Sequence, residues 1–260
     1  MMLDKIVLDN VKIVYKKGKI IAIKNANIVV KKGEILGIIG SNGAGKTSLL
    51  KAIAGIVHYS GLIYIDGYEV SHTPHKVIAR ILSYAGDMDV PEILSLTVLE
   101  AVLTSRYPVS KGFFESEEDI KKALEVLETL GILELKDRRL DELSSGELRK
   151  VILAMALARE PRVILLDEPD AHLDMGSKIV VSRIIKELGR RSIVIFTTHD
   201  ILFAINTASK VVLLKDGEII GYGTVDDIVK NDLLFKTYNA RFKILLDPDT
   251  NKPVPIPFYE

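Results

Sequence analysis

Residues 40–48 read GSNGAGKTS, after the apolar run Ile35-Leu36-Gly37-Ile38-Ile39 and before Leu49-Leu50-Lys51-Ala52-Ile53. That pattern predicts strand, glycine loop and helix, the setting that a phosphate-binding loop of the form G-x-x-x-x-G-K-[ST] requires. Gly40, Gly43 and Gly45 leave out side chains where backbone must approach a polyphosphate closely. The N–H groups of Ser41, Asn42, Gly43, Ala44 and Gly45, continuing through Lys46, Thr47 and Ser48, can then turn inward as an anion nest, backed by the positive end of the following helix. Lys46 supplies a point charge for the β- and γ-phosphates, and the Thr47 hydroxyl is suited to ligate Mg²⁺. A plain Gly-rich turn is the alternative, and the complete pattern in its strand-to-helix setting argues against it.

A chain of 260 residues can form one large domain, or a domain with an inserted subdomain. Lys plus Arg equals Asp plus Glu at 35 each, and the resulting zero net charge argues against a nucleic-acid binder. There is no Cys, so disulfides, zinc–thiolate sites and iron–sulfur ligation by this chain are excluded. The start, Met1-Met2-Leu3-Asp4-Lys5, lacks an apolar signal-peptide core, and no apolar run reaches the roughly 18–20 residues that span a bilayer. The expectation is a soluble, cytoplasmic chain.

Residues 6–15 and 19–30 read as β-branched strands, 62–65 as a short strand stopped by the hairpin signal Asp66-Gly67, and 81–85 as another strand after a short helix at 74–80. From about 97 to 143 the apolar spacing becomes helical, with Ser116-Glu117-Glu118-Asp119 as a helix start. Residues 147–159 predict a helix, 163–166 a buried parallel strand, 174–188 a helix, 192–197 a strand and 201–206 a helix. Strands at 210–214 and 218–222 and short helices at 225–230 and 233–238 follow, and the tail from 242 reads as a short strand and then a Pro-rich extended end.

Two carboxylates, Asp167 and Glu168, end the buried run Val163-Ile164-Leu165-Leu166, where a parallel sheet opens to its ligand crevice. Asp167 is a candidate Mg²⁺ holder and Glu168 a candidate general base for water. Without the phosphate loop, a strand ending in an acidic turn would suffice. Leu143-Ser144-Ser145-Gly146-Glu147 opens a helix, and Ser144 with Glu147 has capping-box spacing, locally enough to explain both. The functional reading adds that Gly146 exposes N–H groups at that terminus to a γ-phosphate. His199, after the strand ending Thr197-Thr198, can reach the same phosphate. His72 and His75 flank Thr73-Pro74, and two ligands are too few for a metal site.

In this order the motifs resemble an ATP-binding-cassette (ABC) ATPase, over essentially the whole chain. The phosphate loop matches Walker A and residues 163–168 match Walker B, while Leu143 to Glu147 resembles the family signature. Ala171-His172-Leu173-Asp174 resembles the D-loop, His199 the switch histidine, and Tyr15 stands where the family's aromatic stacks on adenine. Leu96-Thr97-Val98-Leu99-Glu100-Ala101-Val102, Ser105-Arg106-Tyr107-Pro108 and the tail Leu245-Leu246-Asp247-Pro248-Asp249-Thr250 resemble cassettes of importers for ferric siderophores, haem and vitamin B12. Ser145 stands where the signature has its first glycine, and Asp87, in Tyr84-Ala85-Gly86-Asp87, where the family has a metal-contacting glutamine, which makes Asp87 a candidate metal ligand.

The resemblance implies an α/β P-loop NTPase (RecA-like) fold. A mostly parallel sheet core carries an N-terminal antiparallel β portion and a helical subdomain inserted at about 88–160. It implies Mg²⁺-dependent ATP hydrolysis with Glu168, His199 and Lys46 catalytic. Ser144, Ser145, Gly146 and Glu147 would cover the ATP of a second cassette in a head-to-tail homodimer. The insert would grip a permease at the inner face of the membrane, with a substrate-binding protein as indirect partner. A soluble assembly ATPase, as in iron–sulfur biogenesis, is the alternative. A DNA-repair or chromosome ATPase would need long coiled coils that the sequence lacks.

Overall fold

The computed structural model describes residues 4–15, 19–86, 96–109, 116–230, 233–248 and 252–258. Strands β1 (Lys5–Tyr15) and β2 (Ile20–Lys31) precede β3 (Ile35–Ile39), which runs through the phosphate loop into helix α1 (Lys46–Ile53). Next come β4 (Ser60–Ile65), β5 (Tyr68–Glu69), α2 (His75–Ile81) and β6 (Leu82–Ala85), then the helices α3 (Val98–Ser105), α4 (Glu117–Thr129) and α5 (Ser145–Leu157). The chain continues through β7 (Val163–Asp167), α6 (Met175–Gly189), β8 (Ile193–Thr198), α7 (Ile201–Thr207), β9 (Lys210–Lys215) and β10 (Glu218–Thr224). It ends with α8 (Val225–Lys230), α9 (Leu233–Tyr238), β11 (Phe242–Leu246) and β12 (Pro253–Pro257).

Among the described residues ten strands form one sheet in the order β5-β4-β1-β2-β10-β9-β3-β8-β7-β6. The stretch β9-β3-β8-β7-β6 is parallel throughout. Its central strands β3, β7 and β8 are buried at every position, as apolar runs without polar alternation must be when helices cover both faces. Side chains alternate between faces. Ile35, Ile39, Val194 and Phe196 join a core with α3 to α8, whereas Leu36, Ile38, Ile193 and Ile195 join a second core with α1 and the inner face of β1, β2 and β4. The parallel register sets Ile38 and Asp167 each beside Thr197, so the ends of β3, β8 and β7 open side by side.

The antiparallel end meets this core along a narrow seam. Strand β2 pairs with β10 only at Asn25↔Glu218. Lys24 N–H donates to Gly217 O (2.8 Å), Lys24 Nζ meets Glu218 at 3.0 Å, and Gly217 N–H donates to Ala44 O (3.1 Å).

Helices α3, α4 and α5 pack together, as the helical spacing predicts. The apolar residues of α3 that resemble importer cassettes, Val98, Ala101 and Val102, are buried in the core that these helices share with the sheet. Arg106 is an internal clamp. Its Nε and Nη2 each lie 2.8 Å from Asp119 of α4, and its Nη1 donates to the Ala158 carbonyl beyond α5. Ser116 caps α4 through a capping box with Asp119. The Ser116 hydroxyl and the Arg106 guanidinium together hold the Asp119 carboxyl down to about 2, against the opposing effect of burial. A depressed carboxylate pKa contributes stability above its unfolded value, lost as pH falls through the folded value; here the contribution is about 2 kcal/mol. Asp119→Asn is therefore expected to unfold more easily than wild type at neutral pH. The difference should close between about pH 4 and pH 2, in urea unfolding across that range; a gap independent of pH would show that the Asp119 charge is not its source.

The Pro-rich end is not merely extended. Strand β12 pairs antiparallel with β11, with Pro253, Pro255 and Pro257 opposite Leu246, Ile244 and Phe242. Proline at every second position withholds donors only on the side that does not bond the partner, so the ladder survives.

Candidate active site

The phosphate loop is built by contact with the sheet as much as by its own sequence. Gly45 precedes α1 with φ 106°, and a Cβ there would lie 2.3 Å from the Ala22 carbonyl oxygen of β2. A Cβ on Gly40 would lie 2.1 Å from the Leu214 carbonyl oxygen of β9. These two glycines are required by packing against backbone. Gly43 differs: its φ is 79°, and a Cβ there would meet no described atom within 4 Å. Of the three, it alone faces the open space that ligand approach requires. Ala44 turns its methyl into the core and donates its N–H to Ser41 O (3.2 Å). Lys46 is buried, and its Nζ donates to Gly40 O (2.9 Å) and Ser41 O (3.1 Å). Burial pushes its ammonium below the ordinary lysine value, and the Glu168 and Asp167 carboxylates pull the other way.

Asp167 collects three hydroxyl donors: Thr197 at 2.5 Å and Thr47 at 3.1 Å on Oδ1, and Tyr84 at 3.2 Å on Oδ2. The Thr197 oxygen in turn accepts the Glu168 N–H at 2.9 Å. Glu168 itself sits in the left-handed region, φ 48°, uncommon outside glycine. That turn swings the chain out of β7 and leaves the Glu168 side chain about one-third exposed, with Oε2 3.6 Å from His199 Nδ1. The arrangement offers a charged donor for phosphate, a hydroxyl–carboxylate pair, and a half-open carboxylate beside an imidazole.

One cleft gathers Tyr15, Ala22, Asn42, Gly43, Gly45, Lys46, Thr47, Ser48 and Glu168, with the exposed Ile20 and Ile21 beside Tyr15. It brings together most of the residues that the sequence marks for nucleotide. Ser41 and Ala44 are not among those it gathers: the exposed Ser41 holds the loop through its carbonyl, and Ala44 packs inward. Ser144, Ser145, Gly146 and Glu147 lie outside this cleft, at the start of α5. There the Ser144–Glu147 capping box is complete, and a Cβ on Gly146 would stand 3.3 Å from His172 O. Gly146 is thus pressed onto the D-loop of its own chain. Asp87 lies outside the described residues. Sequence reading missed Thr197 and Tyr84. A threonine closing the wholly apolar run Ile193-Val194-Ile195-Phe196 was the available signal for Thr197, since a buried hydroxyl needs a partner.

The family described as ABC transporter matches residues 23–171. The chain is 32% identical to the iron(3+)-hydroxamate import ATP-binding protein FhuC of Bacillus subtilis over 258 residues, 96% of this chain and 89% of that protein. It is also 32% identical to the ferric enterobactin transport ATP-binding protein FepC of Escherichia coli, covering 84% and 82% of the two chains. Among solved structures, an ATP-binding cassette in a dimeric post-hydrolysis state with ADP and Pi superposes with a TM-score of 0.78 at 30% identity, over 84% of this chain and 98% of that one. The match runs across the phosphate loop, the signature helix and the acidic strand end alike, and so the chain belongs to the ABC transporter family as an ATP-binding, ATP-hydrolysing subunit.

Proposed function

We propose that this ATPase energises a membrane importer whose cargo is a metal chelate, such as a ferric siderophore or haem, or cobalamin. The carrying observation is that 32% identity to the iron-hydroxamate import protein extends over 96% of the chain. Two copies would pair head to tail, the start of α5 in one meeting the nucleotide on the phosphate loop of the other. The position of the α5 start supports this, since residues 144–147 lie outside the chain's own cleft and a helix N-terminus favours an anion.

Mg²⁺ suits the residues present. Thr47 and Asp167 are adjacent hard oxygen donors, and the described residues hold no cluster of three or more acidic, His or Cys ligands. That fits an ion which keeps waters and takes few protein ligands beside phosphate. When bound it would neutralise charge on the β- and γ-phosphates. Lys46 leaves its loop carbonyls for phosphate oxygens, Glu168 orients and deprotonates the attacking water, and His199 donates to the γ-phosphate, so catalysis is positioning with charge stabilisation.

No described helix is long and apolar enough to cross a membrane, so the span would belong to a permease at whose inner face this chain sits. The insert would dock on it. Because the apolar side of α3 is buried, the available surface there is Glu100, Thr104 and Tyr107, the last 67% exposed. Charge substitutions at the two of these that cap no helix, T104K and Y107K, are expected to abolish co-purification with the cognate permease while soluble ATPase stays near wild type, whereas Glu100 closes the α3 capping box with Thr97 and is left alone. Retained binding across the set would sink the docking surface and favour a soluble assembly ATPase.

A further inference from the structure

Behind Glu168 and His199 lies a group of charges that the hydrolysis reading does not use. Asp170, two residues after Glu168, is 2% exposed. Its Oδ2 accepts the Thr198 hydroxyl at 2.8 Å, and among the described residues its Oδ1 has no hydrogen-bond partner. Asp200, directly after His199, accepts Lys178 Nζ on Oδ2 at 2.8 Å, and its N–H donates to the Thr198 oxygen at 2.9 Å. Lys178 Nζ also stands 3.9 Å from Asp170 Oδ2. One ammonium, carried on the first turn of α6, thus serves carboxylates on either side of the catalytic pair. Helix α6 itself begins at Asp174, the end of the D-loop, which caps it by accepting the Ser177 N–H at 2.9 Å.

We propose that Lys178, Asp170 and Asp200 form a positioning network that fixes His199 relative to Glu168 and ties both to the D-loop. Two bonds fasten the turn after β7 to the end of β8, Glu168 N–H to Thr197 and Thr198 to Asp170, and Asp200 N–H braces the same Thr198 hydroxyl from within the β8 end. The last two converge on groups that Lys178 neutralises. Without the ammonium, two carboxylates face each other across Thr198, one of them buried. Burial already pushes the Asp170 carboxyl upward, with Lys178 acting against it. Removing one member of a buried charge group leaves an uncompensated charge, and the loops then separate or rotate to reach water. His199 and Glu168 ride on those loops, 3.6 Å apart. Among the described residues, Lys178, Asp170 and Asp200 make no hydrogen bond or ion pair with the phosphate loop, and the side-chain link to it runs through Thr197 and Asp167 to Thr47, so ATP binding depends on the network less than hydrolysis does. The partner's approach to the D-loop, by contrast, would reach His199 through α6.

This rests on the reading of His199 as a γ-phosphate group, and the experiment separates the two. The full chain is assayed for ATP affinity by fluorescence titration and for single-turnover hydrolysis, in K178M, K178Q, K178R, H199A and H199A/K178M. K178M is expected to slow hydrolysis about tenfold or more, as small misplacements of catalytic groups do, with ATP affinity within about twofold of wild type. K178R should restore most of the rate, because a guanidinium still spans both carboxylates. H199A/K178M should be no slower than H199A, since residues acting through one another are not additive. Hydrolysis by K178M at the wild-type rate, with H199A slow, overturns the network alone. Slowing by K178M that adds in full to that of H199A also overturns it. H199A hydrolysing at the wild-type rate removes the His199 reading itself, and this proposal with it. Should K178M fail to melt cooperatively, K178Q, which drops the charge and can still donate to Asp200, carries the same expectations.

Discussion

Lys46→Ala is expected to lower ATP hydrolysis by about 10²–10³-fold or more, the scale seen when one preorganised charge donor is lost from a developing anion. Lys46 is buried beside Asp167 and Glu168 and holds its ammonium over the loop through the Gly40 and Ser41 carbonyls. Alanine removes the cation that phosphate would meet in the cleft and leaves two carboxylates facing it, so nucleotide affinity falls along with the rate. The fold should survive. The two lost hydrogen bonds are offset in part because the ammonium's burial was itself costly, and the cores on either side of the sheet do not include this side chain. Phosphate release, nucleotide titration and thermal unfolding on the same preparation give the answer. Undiminished turnover with a cooperative melt would take the phosphate loop out of the mechanism.

Glu168→Gln should do something different: bind ATP and hardly hydrolyse it. Glutamine keeps the shape of the side chain and its place near His199, and loses the basicity that a general base contributes, about 10²–10⁴-fold. Removing a negative charge near the phosphates also favours binding, so the variant should accumulate the ATP-loaded state. Under the head-to-tail reading that state is a dimer, seen by size-exclusion chromatography with Mg·ATP and absent without it. Normal hydrolysis would show that Glu168 is not the base. Tight ATP binding by a persistent monomer would leave the chemistry standing and overturn the unaided pairing of two cassettes.

Much of this site could be read from the chain because its parts are local. The strand–loop–helix around Lys46, the acidic end of β7 and the capping box at Ser144 are each specified within about ten neighbouring residues, where periodicity and turn chemistry carry the information. What escaped was long-range. That Gly45 must be glycine for the sake of Ala22, that Thr197 bridges Asp167 and Glu168, and that Lys178 reaches Asp200 depend on which strands lie side by side. Spacing along the chain does not encode this. The tail failed differently: three alternating prolines read as a strand breaker, and only the partner strand reveals that each sits where no donor is needed. In α3 the apolar residues resemble importer cassettes by sequence, and they are buried in the core shared with the sheet, which leaves only the polar side of the helix as surface.

The narrow join between β2 and β10 has a mechanical consequence. Tyr15 belongs to the β1–β2 side and Lys46 to the parallel side; in the plane of the sheet these are joined by a single paired position, the Lys24–Glu218 pair, the Tyr222 hydroxyl on the Val29 carbonyl and the contacts of Ala22 and Gly217, above the core that both sides share. A nucleotide seated from Tyr15 to Lys46 would lie across that join like a stitch over a cut. Emptying the cleft would then loosen the two halves of the sheet against each other, and filling it would draw them taut. On this view the substrate would be for a moment a structural member of the protein, bridging on the ligand side a join that the backbone ladder spans at one position.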